Sequence, residues 1–154
     1  MLEKLELKIP PLALTVLVAG AMWLLARFTP GLHIAVPLKL LWCITFTGAA
    51  AAIALVAVLS FRAAHTTVDP TQPASSSHIV STGVYRWSRN PMYLSFLLGL
   101  AAWAVYLSQL LPIALLPVFV LYLNRFQIVP EERALCRKFA ADYVHYMASV
   151  RRWL

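Results

Sequence analysis

The chain has 154 residues, of which 61% are hydrophobic and 12% are charged, and its formal net charge is +7. A soluble domain carries about 25% charged residues, so this composition argues against a water-soluble globular protein. The positive charge does not indicate nucleic acid, because the basic residues lie at the edges of apolar blocks, where membrane proteins place their anchors.

The acidic residues are distributed unevenly along the chain. None lies between Glu6 and Asp69, and none lies between Asp69 and Glu131. Two long acid-free blocks rich in Leu, Ala and Val predict an all-α integral membrane protein. Cys43 lies in an apolar block and Cys136 in a charged segment, so the two cysteines do not predict a disulfide.

Four membrane spans are predicted in chain order, at residues 11–28, 37–61, 91–107 and 110–128. The first follows an amphipathic lead-in at residues 1–8 and lacks a cleavage-site pattern, so we expect a retained span and not a signal peptide. Thr29-Pro30-Gly31 is expected to end it. Only two residues separate the third and fourth spans, which predicts a tight antiparallel hairpin. Pro117 predicts a kink in the fourth span.

Two polar segments flank the second pair of spans. Residues 62–82 are rich in Pro, Ser and Thr; their composition favours a disordered linker, and their length and position favour a functional loop. Val129-Pro130-Glu131-Glu132 predicts the start of a last amphipathic helix, which ends near residue 149 and lies on the membrane surface or against the loop. We expect residues 1–61 to form a two-span segment and residues 62–154 to form one catalytic unit.

The basic residues predict the orientation. Eleven of the 13 Lys and Arg residues belong to the lead-in, the central loop and the segment from Arg125 onward, which share one side of a four-span protein. Because cytoplasmic segments carry the excess of Lys and Arg, both termini and the central loop are expected in the cytoplasm.

The segment 83–94, which reads Gly-Val-Tyr-Arg-Trp-Ser-Arg-Asn-Pro-Met-Tyr-Leu, joins the polar loop to an apolar helix. Asn90 is a candidate helix cap, and Pro91 fits the first helical turn. Arg86 and Arg89 beside free N–H groups at a helix start suggest an anion site. The same arginines with Tyr85, Trp87 and Tyr93 equally fit a membrane-interface boundary of aromatic and basic anchors.

Two further groups of charged residues lie toward the carboxyl end of the chain. Glu131 and Glu132 could hold a cationic ligand group, or could simply stabilise a helix N-terminus by about 0.3–1 kcal/mol. Arg151 and Arg152 could hold a substrate or anionic lipid. Tyr143 and Tyr146 share an apolar helix face with Leu135 and Phe139, which favours packing on the hairpin.

Several chemistries lack their usual signals. The sequence has no glycine-rich phosphate loop, no Cys/His cluster with zinc spacing and no supportable Ser-His-Asp set, so neither a metal nor a nucleotide fold is predicted. Membrane transporters usually place an ionisable group within a span, and none is predicted there.

The order of these segments resembles the isoprenylcysteine carboxyl methyltransferase family, in its bacterial branch, which is related to phospholipid methyltransferases. The resemblance rests on Thr66-Thr67-Val68-x-Pro70, then Gly83-x-Tyr85-x-x-x-Arg89-Asn90-Pro91-x-Tyr93, an apolar hairpin, Glu131-Glu132-x-x-Leu135-x-x-x-Phe139-x-x-x-Tyr143-x-x-Tyr146, and Val150-Arg151-Arg152-Trp153. It covers about residues 62–154, and the first two spans match in hydropathy alone.

The resemblance implies methyl transfer from S-adenosylmethionine to a lipophilic or lipid acceptor at the cytoplasmic face of a membrane, here the bacterial inner membrane. It implies that Arg89 and the helix start at Asn90 and Pro91 hold the cofactor carboxylate. Tyr85 and Tyr93 would shape the pocket, and Glu131 or Glu132 would hold ribose hydroxyls or the amine. Arg152 would face the anionic end of the substrate, so Arg89, Glu132 and Arg152 are the candidate catalytic residues.

Two positions depart from the family pattern. Many relatives carry His where this chain has Asn90, so Asn90 is assigned no acid–base role. The eukaryotic enzymes carry Arg where this chain has Ser149, a difference that bears on the prenylcysteine substrate. Two alternatives stay open: a non-catalytic membrane module, and a nicotinamide-dependent reductase-like relative with the same carboxyl-terminal pattern.

Overall fold

In a computed structural model of the chain, the structure describes residues 6–29, 32–64 and 78–154. Within these ranges the backbone forms helices, and no β-strand is assigned beyond an isolated bridge between His33 and Gln109. The predictions made for residues 1–5, for Pro30-Gly31 and for residues 65–77 of the polar loop lie outside the described residues.

The first two helices are α1 (Pro11–Phe28) and α2 (Lys39–Ala63). Helix α1 has proline at its first position, which costs no hydrogen bond there, and ends at Thr29, whose hydroxyl donates to Leu25 O at 2.6 Å. Helix α2 begins two residues later than predicted, after Leu38, which has a left-handed backbone with φ of 53°.

A 3₁₀ helix (Gly83–Arg86) leads into α3 (Pro91–Leu107), whose bounds match the prediction. Left-handed Ser108 ends α3, and α4 (Leu110–Ile113) and α5 (Leu115–Leu123) follow. The interruption at Ala114 lies before Pro117, which cannot donate a hydrogen bond to the carbonyl one turn earlier, so the predicted irregularity of this helix is present.

Helix α5 does not stop where the sequence predicted. It continues through a π-helical turn, Asn124–Ile128, directly into α6 (Val129–Ser149), so Pro130-Glu131-Glu132 begins no separate helix. The predicted bounds of the last helix, from Val129 to about residue 149, match those of α6, but no break precedes it, because the π turn keeps the backbone helical up to Val129. Pro130 has no backbone N–H and cannot donate to Phe126 O, four residues earlier. The Leu7 N–H donates to that oxygen at 3.0 Å.

The described helices make the chain an all-α integral membrane protein. Three helical segments are long and apolar enough to cross a membrane: α1, α2 and Leu110–Ser149, which is interrupted at Ala114 and kinked at Ala140. Helix α3 is apolar but has 17 residues. The four-span count, the hairpin and the two-segment division stay predictions.

The larger core cluster lies between α1, α3 and α5. Its buried side chains include Met22, Leu100, Phe119 and Leu123, each at most 2% exposed. The Trp103 indole N–H donates to Ala19 O at 3.1 Å, which ties α3 to α1. The amino-terminal helix therefore shares one core with the helices that carry the motif residues.

A smaller cluster attaches the 3₁₀ helix to α2. Ala57 of α2 packs with Val80 and Tyr85. Gly83 has φ of +60°, and a Cβ there would lie 2.9 Å from Ser60 Oγ, so both backbone conformation and space require glycine. These contacts hold the motif segment, residues 83–90, against the last turns of α2.

Truncation of Leu123 should test the packing of the core. Leu123 is 1% exposed and Leu121, two residues earlier on α5, is 67% exposed. Leu123→Ala should lower the free energy of unfolding by about 3 kcal/mol, because it leaves a cavity among packed helices. Leu121→Ala should change it by less than about 0.5 kcal/mol. Unfolding by SDS titration from detergent micelles measures both, and equal losses would contradict this core.

Candidate active site

Arg89 connects the motif segment to the carboxyl-terminal end of the chain. Its Nη1 donates to Met147 O at 2.9 Å and also to Val150 O. Its backbone N–H donates to Arg151 O at 2.9 Å. Residues 83–90 and the tail, which we define as residues 150–154, are therefore held side by side through one arginine.

The carboxylate of Glu132 lies between two guanidinium groups. Arg89 Nη2 donates to Glu132 Oε1 at 2.8 Å, and Arg152 Nη2 donates to Glu132 Oε2 at 2.6 Å. Arg152 Nε also donates to Glu132 Oε1 at 3.1 Å, so the Arg152–Glu132 ion pair is bidentate. The side chains of Arg89 and Glu132 are 11% and 13% exposed, and Arg152 is 37% exposed. We call these three residues the Glu132 network.

The neighbouring carboxylate, Glu131, faces the membrane helices. The Tyr93 hydroxyl of α3 donates to Glu131 Oε1, and Gln127 Nε2 of the π turn donates to the same oxygen at 3.0 Å. Gln127 was missed from the sequence, although its spacing of four residues before Glu131 on a helix is the available signal. Both of these donors are neutral, in contrast to the arginines around Glu132.

Asn90 occupies the position before α3 but does not cap it with its side chain. Its Nδ2 donates to Arg152 O at 3.0 Å, and its backbone N–H donates to Ser88 Oγ at 3.1 Å. The predicted side-chain cap is wrong, because the amide is used to hold the tail. Pro91 is buried at the first helical position, as predicted.

Tyr85 is held by the last helix. The Tyr146 hydroxyl donates to Tyr85 O at 2.7 Å, and the Tyr85 ring lies edge-on to Phe61 with centroids 5.3 Å apart. Burial raises the pKa of the Tyr85 hydroxyl, which therefore keeps its proton near neutral pH. The side chains of Tyr143 and Tyr146 are both buried. The residue that Tyr146 contacts, Tyr85, lies in the 3₁₀ helix of the motif segment.

An open cavity of about 530 Å³ lies between residues 78–81 and the outer half of α6. Its lining includes His78, Phe139, Asp142 and His145, together with Tyr146. Tyr146 thus borders the cavity and also contacts the motif segment. The cavity is within the size range of small-molecule sites.

The structure brings the predicted residues of both patches together. Arg89, Glu132 and Arg152 form one network, and Tyr93 meets Glu131. The Arg151 side chain is exposed, and only its backbone oxygen contacts the motif segment. Sequence analysis also missed the bond from Trp153 Nε1 to Asn124 Oδ1, 3.0 Å long, for which no local pattern exists.

Comparison with known proteins identifies relatives over much of the chain. The family model described as phospholipid methyltransferase matches residues 42–142. An uncharacterized protein of Haemophilus influenzae is 46% identical over 63 residues, which are 41% of this chain and all of that protein. Protein-S-isoprenylcysteine O-methyltransferase of Saccharomyces cerevisiae is 38% identical over 85 residues, which are 52% of this chain and 34% of the yeast protein. No solved structure has a significant match.

Neutralising Glu132 should destabilise the fold. Glu132→Gln leaves the Arg89 guanidinium, 11% exposed, without its carboxylate, so the free energy of unfolding should fall by about 3 kcal/mol. Asp142→Asn is the matched control, since Asp142 is an exposed acid on the same helix, and it should change stability by less than about 0.5 kcal/mol. The same SDS titration measures both, and an unchanged stability of Glu132→Gln would refute a structural role for the network.

Proposed function

Because the chain belongs to the phospholipid methyltransferase family, we propose that it transfers a methyl group from S-adenosylmethionine to a lipophilic acceptor at the cytoplasmic face of the membrane. Two observations support the proposal: the family match, and a cluster of charged and aromatic residues at the beginning of an apolar helix. In the proposed arrangement four spans cross the bacterial inner membrane, the last two form a hairpin, and both termini are cytoplasmic.

The observation that carries the donor assignment is the incomplete pairing of Arg89. Among the described residues, its buried Nε has no hydrogen-bond partner, although Nη1 and Nη2 are both used. A buried guanidinium N–H without an acceptor is costly. The carboxylate of the donor's methionine moiety is an acceptor of the right charge, so the residues present fit this ligand.

When bound, S-adenosylmethionine supplies an activated methyl group: its sulfur–methyl bond breaks, the electron pair stays on sulfur, and the acceptor's lone pair forms the new bond. The protein then has to align the acceptor and exclude water. In the proposal Arg89 and the helix start at Pro91 hold the donor carboxylate. Arg152, the most exposed member of the Glu132 network, faces the acceptor's anionic end.

The remaining candidates would form the walls of the site. Glu131, held by Tyr93 and Gln127, accepts hydrogen bonds and is suited to ribose hydroxyls or the donor amine. Tyr85 shapes the pocket on the 3₁₀-helix side. Asn90 holds the tail and has no acid–base role, because its amide does not titrate. The cavity borders Tyr146, whose hydroxyl donates to Tyr85 O, and so approaches the proposed site from the side of the 3₁₀ helix.

The first test is binding of S-adenosylhomocysteine to the detergent-purified protein by calorimetry. Wild type should bind saturably. Arg152→Gln should weaken binding about tenfold although Arg152 faces the acceptor, because it removes a charged hydrogen bond worth about 1.5 kcal/mol that holds Glu132 beside the donor-binding Arg89. Arg89→Ala is a poorer probe of ligand binding, because Arg89 also donates to the backbone oxygens of Met147 and Val150 and its loss would disturb the fold.

Arg151→Gln is the matched control. It removes the same charge from the adjacent, exposed residue and should leave the affinity within about twofold, as expected for an exposed charge. Absence of saturable binding by folded wild type would sink the cofactor assignment. A calorimetric titration of the same protein with a reduced nicotinamide cofactor tests the reductase-like alternative. Transfer of a labelled methyl group into extracted membrane lipid tests the class of the acceptor.

A further inference from the structure

The amino-terminal residues 6–9, which we call the strap, contact the π turn from outside. Glu6 Oε1 accepts from Arg125 Nη1 at 2.7 Å, and Glu6 Oε2 accepts from Arg133 Nη2 at 2.6 Å. Arg125 lies inside the π turn and Arg133 lies on α6 after it. One carboxylate therefore bridges the two sides of the irregular turn.

The backbone of the strap makes the third contact. The Leu7 N–H donates to Phe126 O at 3.0 Å, the carbonyl that Pro130 cannot serve. Leu7 has φ of 58°, a left-handed conformation that is unfavourable for a leucine and persists where surrounding contacts require it. The strap thus supplies a hydrogen bond to a carbonyl whose α-helical donor position is occupied by proline.

The π turn also holds residues of the proposed site. Gln127, within the turn, donates to Glu131 at 3.0 Å, and Asn124 at its beginning accepts from Trp153 of the tail. The turn therefore determines where Glu131 lies relative to Tyr93, and it fixes one end of the tail that carries Arg152. Short π-helical segments inside α-helices are frequent at functional sites.

We propose that the strap is a positioning element: Glu6 and the Leu7 N–H hold the π turn in the geometry that presents Glu131 and Gln127 to the site. The inference rests on the proposed function, since the site is that of the methyl donor. Glu6 is a positioning residue, because it acts through Arg125, Arg133 and the turn and contacts none of the candidate site residues directly.

The chemistry of the strap suits this role near neutral pH. The hydrogen bond from Arg125 lowers the pKa of Glu6, so the carboxylate is ionised over the neutral range. Glu6 is 14% exposed, whereas its two arginine partners are 45% exposed. The bridge is therefore open to solvent on the arginine side, where single charge changes can be made without disturbing the core.

The test compares Glu6→Gln with wild type by hydrogen–deuterium exchange and by S-adenosylhomocysteine calorimetry, on the full chain in detergent. Exchange of the amides in residues 124–131 should increase about tenfold, because local opening of the turn becomes easier, while residues 91–107 stay unchanged. Ligand affinity should fall about fivefold, the lower end of typical coupling between sites.

Two further variants separate positioning from a general loss of structure. Lys8→Gln removes one charge from an exposed position of the strap and should match wild type in both measurements. The charge-reversed triple variant Glu6→Arg, Arg125→Glu, Arg133→Glu rebuilds the bridge with opposite signs and should restore protection of the turn.

Unchanged exchange in Glu6→Gln would overturn the proposal. Increased exchange with unchanged affinity would also overturn it, because the turn would then open without consequence for the site. If wild type binds no S-adenosylhomocysteine, the proposed function fails, and exchange of residues 124–131 alone decides whether the strap holds the turn.

Discussion

The carboxylate of Glu132, on α6, binds groups from the motif segment and from the tail at the same time. It accepts from Arg89, which precedes α3, and from Arg152 in the tail, at 2.8 and 2.6 Å. Removing such a carboxylate from water is expensive, and the pairing offsets that expense when further hydrogen bonds satisfy the remaining donors. Arg89 meets this condition at Nη1, through the carbonyls of Met147 and Val150, but not at Nε; these bonds join the motif segment, α6 and the tail into one assembly.

Two consecutive carboxylates serve two different elements because successive residues on a helix point in different directions. Glu132 turns toward the arginines, whereas Glu131 turns toward Tyr93 of α3. Glu132 is neutralised by two cations, and Glu131 is held by neutral donors. The proposed function assigns the two carboxylates different roles on this ground.

The local features of the fold were predictable from the sequence, and the long-range contacts were not. The bounds of α1 and α3 follow from proline at the first helical turn and from apolar length, and both were predicted. The side-chain cap at Asn90 was predicted wrongly, because its amide meets a carbonyl 62 positions later. Pro130-Glu131-Glu132 carries the signals of a helix start, but tertiary packing keeps the helix continuous through a π turn.

The site residues illustrate the same division. Their identities came from a resemblance to a family, while the pairing of Arg89 and Arg152 on one carboxylate came from the structure. Their roles toward a ligand and the division of the chain at residue 61 stay predictions. The strap contacts across more than 100 positions had no local signal.

The motif segment holds the tail largely through backbone oxygens: Arg89 and Asn90 donate to the carbonyls of Met147, Val150, Arg151 and Arg152. A carbonyl is the same at every residue, so evolution can exchange the side chains at positions 147, 150 and 151 without moving the tail. Divergence at these positions among homologues would then be no sign of a changed architecture.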